Sequence, residues 1–197
     1  MLSRTWCMLA GLMVLAQAGA QTLPSLPNIG RVNEIWRVAD ARMGRQADYW
    51  FEHGDLPRAV QLLGFRASLY PNDYERATDY GFLLKSLGRR NEELAVYIQF
   101  RQANLSKDPD AAWPEANFYY EMKMYAKVAP LLEPTLSRNP HPNSYRLLAR
   151  SYEKAGSLAN AFRIYQELVS AHPTDMAAKA NLERIRKLMK AARIFPF

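Results

Sequence analysis

Among its 197 residues the chain has a single cysteine, Cys7, and only three histidines. It has no phosphate-binding glycine loop, no nucleophile elbow and no pair of metal-binding cysteines. With Cys7 alone, no disulfide framework is available, and the fold must be held by packing. His53, His141 and His172 stand at predicted helix ends or next to proline, none paired with another at metal-ligand spacing, so each reads as a surface or capping residue. No catalytic group, metal or cofactor is expected, and the chain reads as a non-enzyme. The apolar stretch at residues 6–16 is eleven residues long, against the roughly twenty that a spanning helix needs.

That stretch has another use. Arg4 precedes it, and Ala18, Gly19 and Ala20 follow as a small-x-small cleavage site before Gln21, the pattern of a secretory signal peptide. Residues 1–20 are therefore set apart, and the protein is expected to be exported, to the periplasm or beyond if bacterial. No cysteine lies at the cleavage point, so a lipid anchor is not expected, and any membrane contact would be peripheral. Loss of Arg4 lowers the formal net charge from +7 to +6, a basicity compatible with acidic proteins or anionic surfaces. Nucleic acid is not expected, because no recognised nucleic-acid module is present.

The composition is that of an ordinary folded protein, 49% hydrophobic and 23% charged, and twelve prolines and nine glycines punctuate it. The punctuation is periodic. Gly54, Gly88 and Gly156 are 34 and 68 residues apart, with Met122 at the skipped position. Around Gly54 and Gly156, Trp50 and Tyr152 precede by four residues, Ala59 and Ala161 follow by five, and Pro71 and Pro173 by seventeen. Ala59, Ala95, Ala129 and Ala161 then imply a two-residue insertion after Gly88, near residues 89–91, offset by a shortened connection at residues 139–143.

Each unit has the pattern of two helices and a turn. Tyr145, Leu148, Ala149 and Tyr152 mark one helical face before Gly156. Ser157 offers an N-cap, and Leu158, Ala161, Phe162, Tyr165 and Leu168 form the next face up to Pro173. In the first unit Asp55 is the N-cap, with Pro57 in the first helical turn. Thr174 and Asp175 start one more helix through Leu182, Ile185 and Leu188. Upstream, Val32, Ile35, Trp36 and Ala39 are at helical spacing; whether this helix passes Gly44 or stops there is open.

At Ala149, Tyr152, Gly156, Ala161, Tyr165 and Pro173 the chain resembles the tetratricopeptide repeat family. The resemblance implies an all-α fold, a right-handed superhelical stack of antiparallel helix hairpins. Its four units would lie at about 40–73, 74–109, 110–141 and 142–175, with a capping helix at 176–193, in a domain of residues 30–197 behind an exposed leader at 21–29. The third unit, with Trp113, Tyr120, Tyr125 and Ala129 but no glycine in its turn, matches least well.

The resemblance also implies a concave groove lined by the first helix of each hairpin. Arg146, Arg150 and Lys154 recur every four residues on such a helix, and Arg184 and Lys187 extend them, so the C-terminal end of the groove should suit an acidic segment or a free C-terminal carboxylate. Toward the N-terminus the surface is mixed, with Asp48, Phe51 and Glu52, then Glu75, Phe82 and Lys85. Phe51 and Phe82 are candidate apolar anchors. Asn104, Leu105 and Ser106 form a glycosylation sequon that reads equally as a helix terminus, and Phe195, Pro196 and Phe197 read as a tail folding back on the cap or as a docking tag. The function these features favour is an adaptor holding a protein or peptide in the cell envelope or secreted space. The alternative is an accessory protein that binds a ligand or carbohydrate through aromatics such as Trp113 and Trp36.

Overall fold

The computed structural model of the protein describes residues 29–193. The expected signal peptide and the tail at Phe195, Pro196 and Phe197 lie outside the described residues. The chain divides into two units, residues 1–39 and 40–197, and the stack described here belongs to the second.

The described elements are helical. They are α1 (Ile29–Glu52), α2 (Leu56–Leu69), α3 (Tyr74–Ser86), α4 (Arg90–Asn104), α5 (Trp113–Glu121), α6 (Ala129–Leu132), α7 (Pro142–Lys154), α8 (Leu158–Ala171) and α9 (Met176–Ala191). Short 3-10 segments, Tyr125–Lys127 and Glu133–Arg138, flank α6. α1 runs unbroken through Gly44. From Asp40 onward these elements form the all-α stack of antiparallel hairpins expected from the repeat, α2 packing on α3, α3 on α4, α7 on α8 and α8 on α9.

One turn is built four times. After α1, α3, α5 and α7 the chain passes through a residue of positive φ: Gly54 at 77°, Gly88 at 73°, Lys123 at 59° and Gly156 at 78°. In each case the next amide donates back five residues, Asp55 to Trp50 (2.8 Å), Arg89 to Leu84 (2.9 Å), Met124 to Tyr119 (2.8 Å) and Ser157 to Tyr152 (2.8 Å). This bond satisfies a carbonyl that the helix end would otherwise leave unpaired. The third unit thus keeps the turn without the glycine, and its turn residue is Lys123, one position past the expected Met122. Asp55, Asp73 and Asp175 cap the helices that follow them, accepting from the amides of Arg58, Arg76 and Ala178. Ser157 stands at the N-cap position of α8 but makes no such bond; its hydroxyl accepts from the Asn160 amide at 3.0 Å.

The turns also correct the alanine register. Helices α2 and α4 both begin two residues after their glycine, so nothing is inserted near residues 89–91. Five residues past each turn residue stand Ala59, Glu93, Val128 and Ala161, all buried; Ala95 lies on the exposed side of α4. The extra length is in the connection at residues 105–112, which delays α5. In the third hairpin Pro130 and Pro134 remove backbone donors, and the second helix breaks into α6 and its 3-10 flanks, with the Thr135 hydroxyl donating to the Leu132 carbonyl at 2.9 Å.

Seven residues before each turn residue stand Ala47, Gly81, Ala116 and Ala149, again all buried. At Gly81 the facing helix comes closest to the backbone, through Tyr97. A methyl group on Gly81 would clash with the phenol end of Tyr97, nearest its hydroxyl oxygen. The main core joins Leu132, Leu148, Ile164, Tyr165, Leu168 and Ile185; a second cluster forms around Ala59, Val60, Leu83 and Leu84.

Two outcomes are expected from thermal and denaturant unfolding. Lys123→Gly should raise stability by about 1 kcal/mol, because a side chain at positive φ costs about that much, and Gly156→Ala should lower it by a similar amount. Gly81→Ala should lower it by about 1–3 kcal/mol through overpacking against Tyr97.

Candidate partner-binding face

The positions left over by the turn and the core define one face of the first helices. Six residues before the turn residue stand Asp48, Phe82, Asn117 and Arg150; three residues before it stand Phe51, Lys85, Tyr120 and Glu153. Neighbouring helices meet along this row. Phe51 faces Phe82 with ring centroids 6.4 Å apart. Thirty-one residues also separate Glu153 from Arg184, and here the contact is a bidentate ion pair at 2.5 and 2.7 Å. Lys85 donates to Glu121 at 2.8 Å, and Arg90 reaches the other oxygen of the same carboxylate at 3.3 Å. An apolar contact at one end of the row is thus replaced by charge pairs farther along.

The expected basic groove is smaller than its sequence suggests. Arg146 is tied to Asp175, the cap of α9, and to Asn143 at 2.9 Å. Arg184 is held by Glu153 and Lys85 by Glu121. These three are links between hairpins, with their charge neutralised. Arg150, Lys154 and Lys187 form no ion pair among the described residues and remain exposed. Arg150 lies with Arg184 beside the Tyr165 hydroxyl, whose pKa burial raises and whose two arginine neighbours oppose that rise. Phe51 and Phe82 are 45% and 56% exposed, so both are available to a partner while touching each other.

Carboxylates fasten the stack elsewhere too. Asp40 accepts from Arg66 at 3.1 Å and Arg76 at 2.6 Å, tying α1 to α2 and α3; burial pushes its pKa up, and the two arginines together outweigh that and hold it below its ordinary value. Asp110 accepts from the His141 amide at 2.9 Å and the Ser144 hydroxyl at 2.6 Å, joining the start of α5 to α7. Glu115 holds Arg101 at 2.6 Å.

Six carboxylates have no cationic partner among the described residues: Asp48 and Glu52 on α1, Glu75 and Asp79 on α3, Asp108 and Asp110 before α5. Periodicity alone could not reveal them, because which charges are paired depends on contacts between residues 14 to 36 positions apart. Two clefts collect four of the six. Asp48, Phe51, Asp79 and Phe82 line one, of ≈ 230 Å³, together with Leu63, Leu83 and Arg66, whose guanidinium is held by Asp40. Tyr74, Asp108, Asp110 and Trp113 line the other, of ≈ 360 Å³, with His141 and Ser144. The Asp79 carboxyl lies above its ordinary range, first through desolvation and then through Glu75, Asp48 and Asp73, against the pull of Arg66. The Tyr74 hydroxyl is pushed up to about 12 by burial, then by Asp110 and Asp108.

The remaining sequence candidates resolve simply. Asn104 is only 4% exposed, and its amide donates to the carbonyls of Pro71 at 3.1 Å and Phe100 at 2.9 Å, so the sequon is a sealed helix terminus. His53 contacts the Tyr49 carbonyl, and His141 caps α7. Among the described residues no group of His, Cys, Asp and Glu side chains could hold a metal ion, and no helix is long and apolar enough to cross a membrane. Trp36 is 49% exposed on α1.

Repeated hairpins with one turn, one small-residue contact and one outward row define a helical repeat stack of the tetratricopeptide type. No family model and no curated protein matches the sequence. In three dimensions the chain is similar to solved structures. A MamA fragment from Desulfovibrio magneticus RS-1 is similar with a TM-score of 0.56 at 18% identity, over 76% of this chain and 85% of that one. A MamA RS-1 double mutant gives 0.58 at 18%, over 78% and 86%. A tetratricopeptide repeat protein from Parabacteroides merdae ATCC 43184 gives 0.57 at 18%, over 76% and 61%. At that identity the likeness is one of fold.

Glu93 gives a pH test of the corrected register. Only 2% exposed where other units have a small side chain, it is paired with Arg90 at 2.8 Å, and burial raises its pKa despite Arg90. A carboxyl raised in the folded state binds its proton more tightly there than in the unfolded chain, so its contribution to stability grows as pH falls through the folded pKa. The difference in unfolding free energy between wild type and Glu93→Gln should therefore shift in favour of wild type from neutral to mildly acidic pH. A pH-independent difference would show that Glu93 is not held as described.

Proposed function

We propose that the chain is a non-enzymatic adaptor that acts after export, in the cell envelope or secreted space, and holds a segment of a partner protein along the row formed by the first helices. The observation that carries this reading is the exposed Phe51 and Phe82 pair. Two large aromatic side chains stay in water on adjacent hairpins and touch each other, an arrangement suited to anchoring an apolar side chain of a partner. At the other end of the row the uncommitted cations Arg150, Lys154 and Lys187 suit an acidic stretch of the same segment. The helical-repeat fold supports a protein-binding role by analogy, and the leader motif at residues 1–20 supports export.

Crosslinking and co-purification from the native envelope, with the chain expressed behind its leader, test the reading. One protein should be recovered with wild type and lost both from Phe82→Ala and from the folded triple variant Arg150→Glu, Lys154→Glu, Lys187→Glu. Unchanged recovery with both variants would move the binding surface off this row, and localisation of a tagged chain to the cytoplasm would remove the envelope reading.

A second reading, an accessory protein for a carbohydrate or other small ligand, is favoured by Trp113 and Tyr74 lining the larger cleft. Quenching of Trp113 fluorescence by a soluble glycan, with no protein recovered by co-purification, would put it ahead.

A further inference from the structure

We infer that the partner segment is basic where it crosses the first three hairpins, and that two of its cationic side chains sit in the two aromatic-walled acidic clefts. This rests on the adaptor reading and adds the chemistry of what is held.

The argument begins with charge. The chain has 26 lysines and arginines against 19 carboxylates, so cations to neutralise a carboxylate are in excess. Elsewhere they are used in that way: Asp40, Glu115, Glu121, Glu133, Glu153 and Asp175 each hold an arginine or lysine. Asp48, Asp79, Asp108 and Asp110 hold none among the described residues, and all four line the two clefts. A face left acidic in a basic protein repels acidic peptide, nucleic acid and anionic lipid, and attracts a basic segment.

The aromatic walls point the same way. Each cleft has two rings, Phe51 and Phe82 in one, Tyr74 and Trp113 in the other. A ring face beside a carboxylate suits a guanidinium or ammonium group, which gains from both while its aliphatic stem packs on the ring. The protein already uses the pairing internally: Arg76 lies 4.1 Å from the centroid of Tyr70, and Arg90 4.7 Å from that of Phe118.

Helix α3 contributes to both clefts, with Tyr74 at its start and Phe82 eight residues on. That separation is about 12 Å along the helix at 1.5 Å per residue. Extended chain covers it in about four residues. The segment therefore carries two arginines or lysines about four positions apart, separated by uncharged residues.

The test uses the purified chain and a synthetic peptide carrying two arginines four positions apart in an otherwise uncharged, leucine- and alanine-rich sequence. Its control has glutamine for both arginines. Calorimetry should give binding of the arginine peptide that weakens with added salt. It should weaken about tenfold or more with the glutamine peptide, and similarly when the clefts are neutralised by Asp48→Asn with Asp79→Asn, or by Asp108→Asn. Asp48 and Asp79 make no hydrogen bond among the described residues, so the first variant should keep the wild-type melting temperature. Three results would overturn the inference: no binding of the arginine peptide, equal binding of the two peptides, or unchanged affinity in the folded Asp48→Asn, Asp79→Asn variant. Equal binding abolished by Phe82→Ala would leave an apolar groove and the adaptor reading intact, and that reading otherwise stands or falls by co-purification.

Discussion

Two helices can lie side by side at close range only where one of them offers almost no side chain, and in this stack that condition is met at Ala47, Gly81, Ala116 and Ala149. The partner helix answers with a large residue nine positions past each turn, Leu63, Tyr97, Leu132 and Tyr165. Leu132 and Tyr165 are fully buried, and the Tyr97 ring occupies the space that a methyl group on Gly81 would need. Loss of the small residue would push a hairpin open, and each turn would then aim its second helix differently. The positive-φ turns matter because they deliver the large residue to the small one at a fixed spacing.

Once the small position faces inward, helical geometry decides the rest. Positions one and four residues later face out along the row, and the fold asks little of them beyond solubility. Phe82 and Asp48 can therefore occupy equivalent sites, as can Phe51 and Glu153. The row is thus where the scaffold is least constrained, and its side chains can vary without cost to the stability of the repeat.

The same division explains what could be read from the sequence. The stack was legible because its determinants are local and periodic: three glycines, the proline and aspartate that follow α2 and α8, and the Ala149 to Ala161 pattern. The third turn was displaced by one residue because Lys123 adopts a conformation for which lysine carries no signal. The alanine register misled because a buried glutamate, Glu93, stands where alanine was sought, while the nearby Ala95 lies on the opposite side of its helix. On the face itself, Phe51 and Phe82 could be picked out by position alone. The basic cluster could not be judged that way, since Arg146 and Arg184 meet Asp175 and Glu153 across distances that spacing along one helix does not encode. Nor could the unpaired carboxylates, for the same reason in reverse.

The broken second helix of the third hairpin works as a ruler. A 3-10 segment rises about 2.0 Å per residue where an α-helix rises about 1.5 Å. Residues 125–127 and 133–138 therefore carry the chain about 4–5 Å farther than the same number of α-helical residues would. That hairpin can then reach α7 through a connection of residues 139–141, one residue shorter than the connections at 70–73 and 172–175. Pro130 and Pro134 thus let a stretched helix replace a residue of loop, and the repeat absorbs a deletion along its axis while its neighbours keep their register.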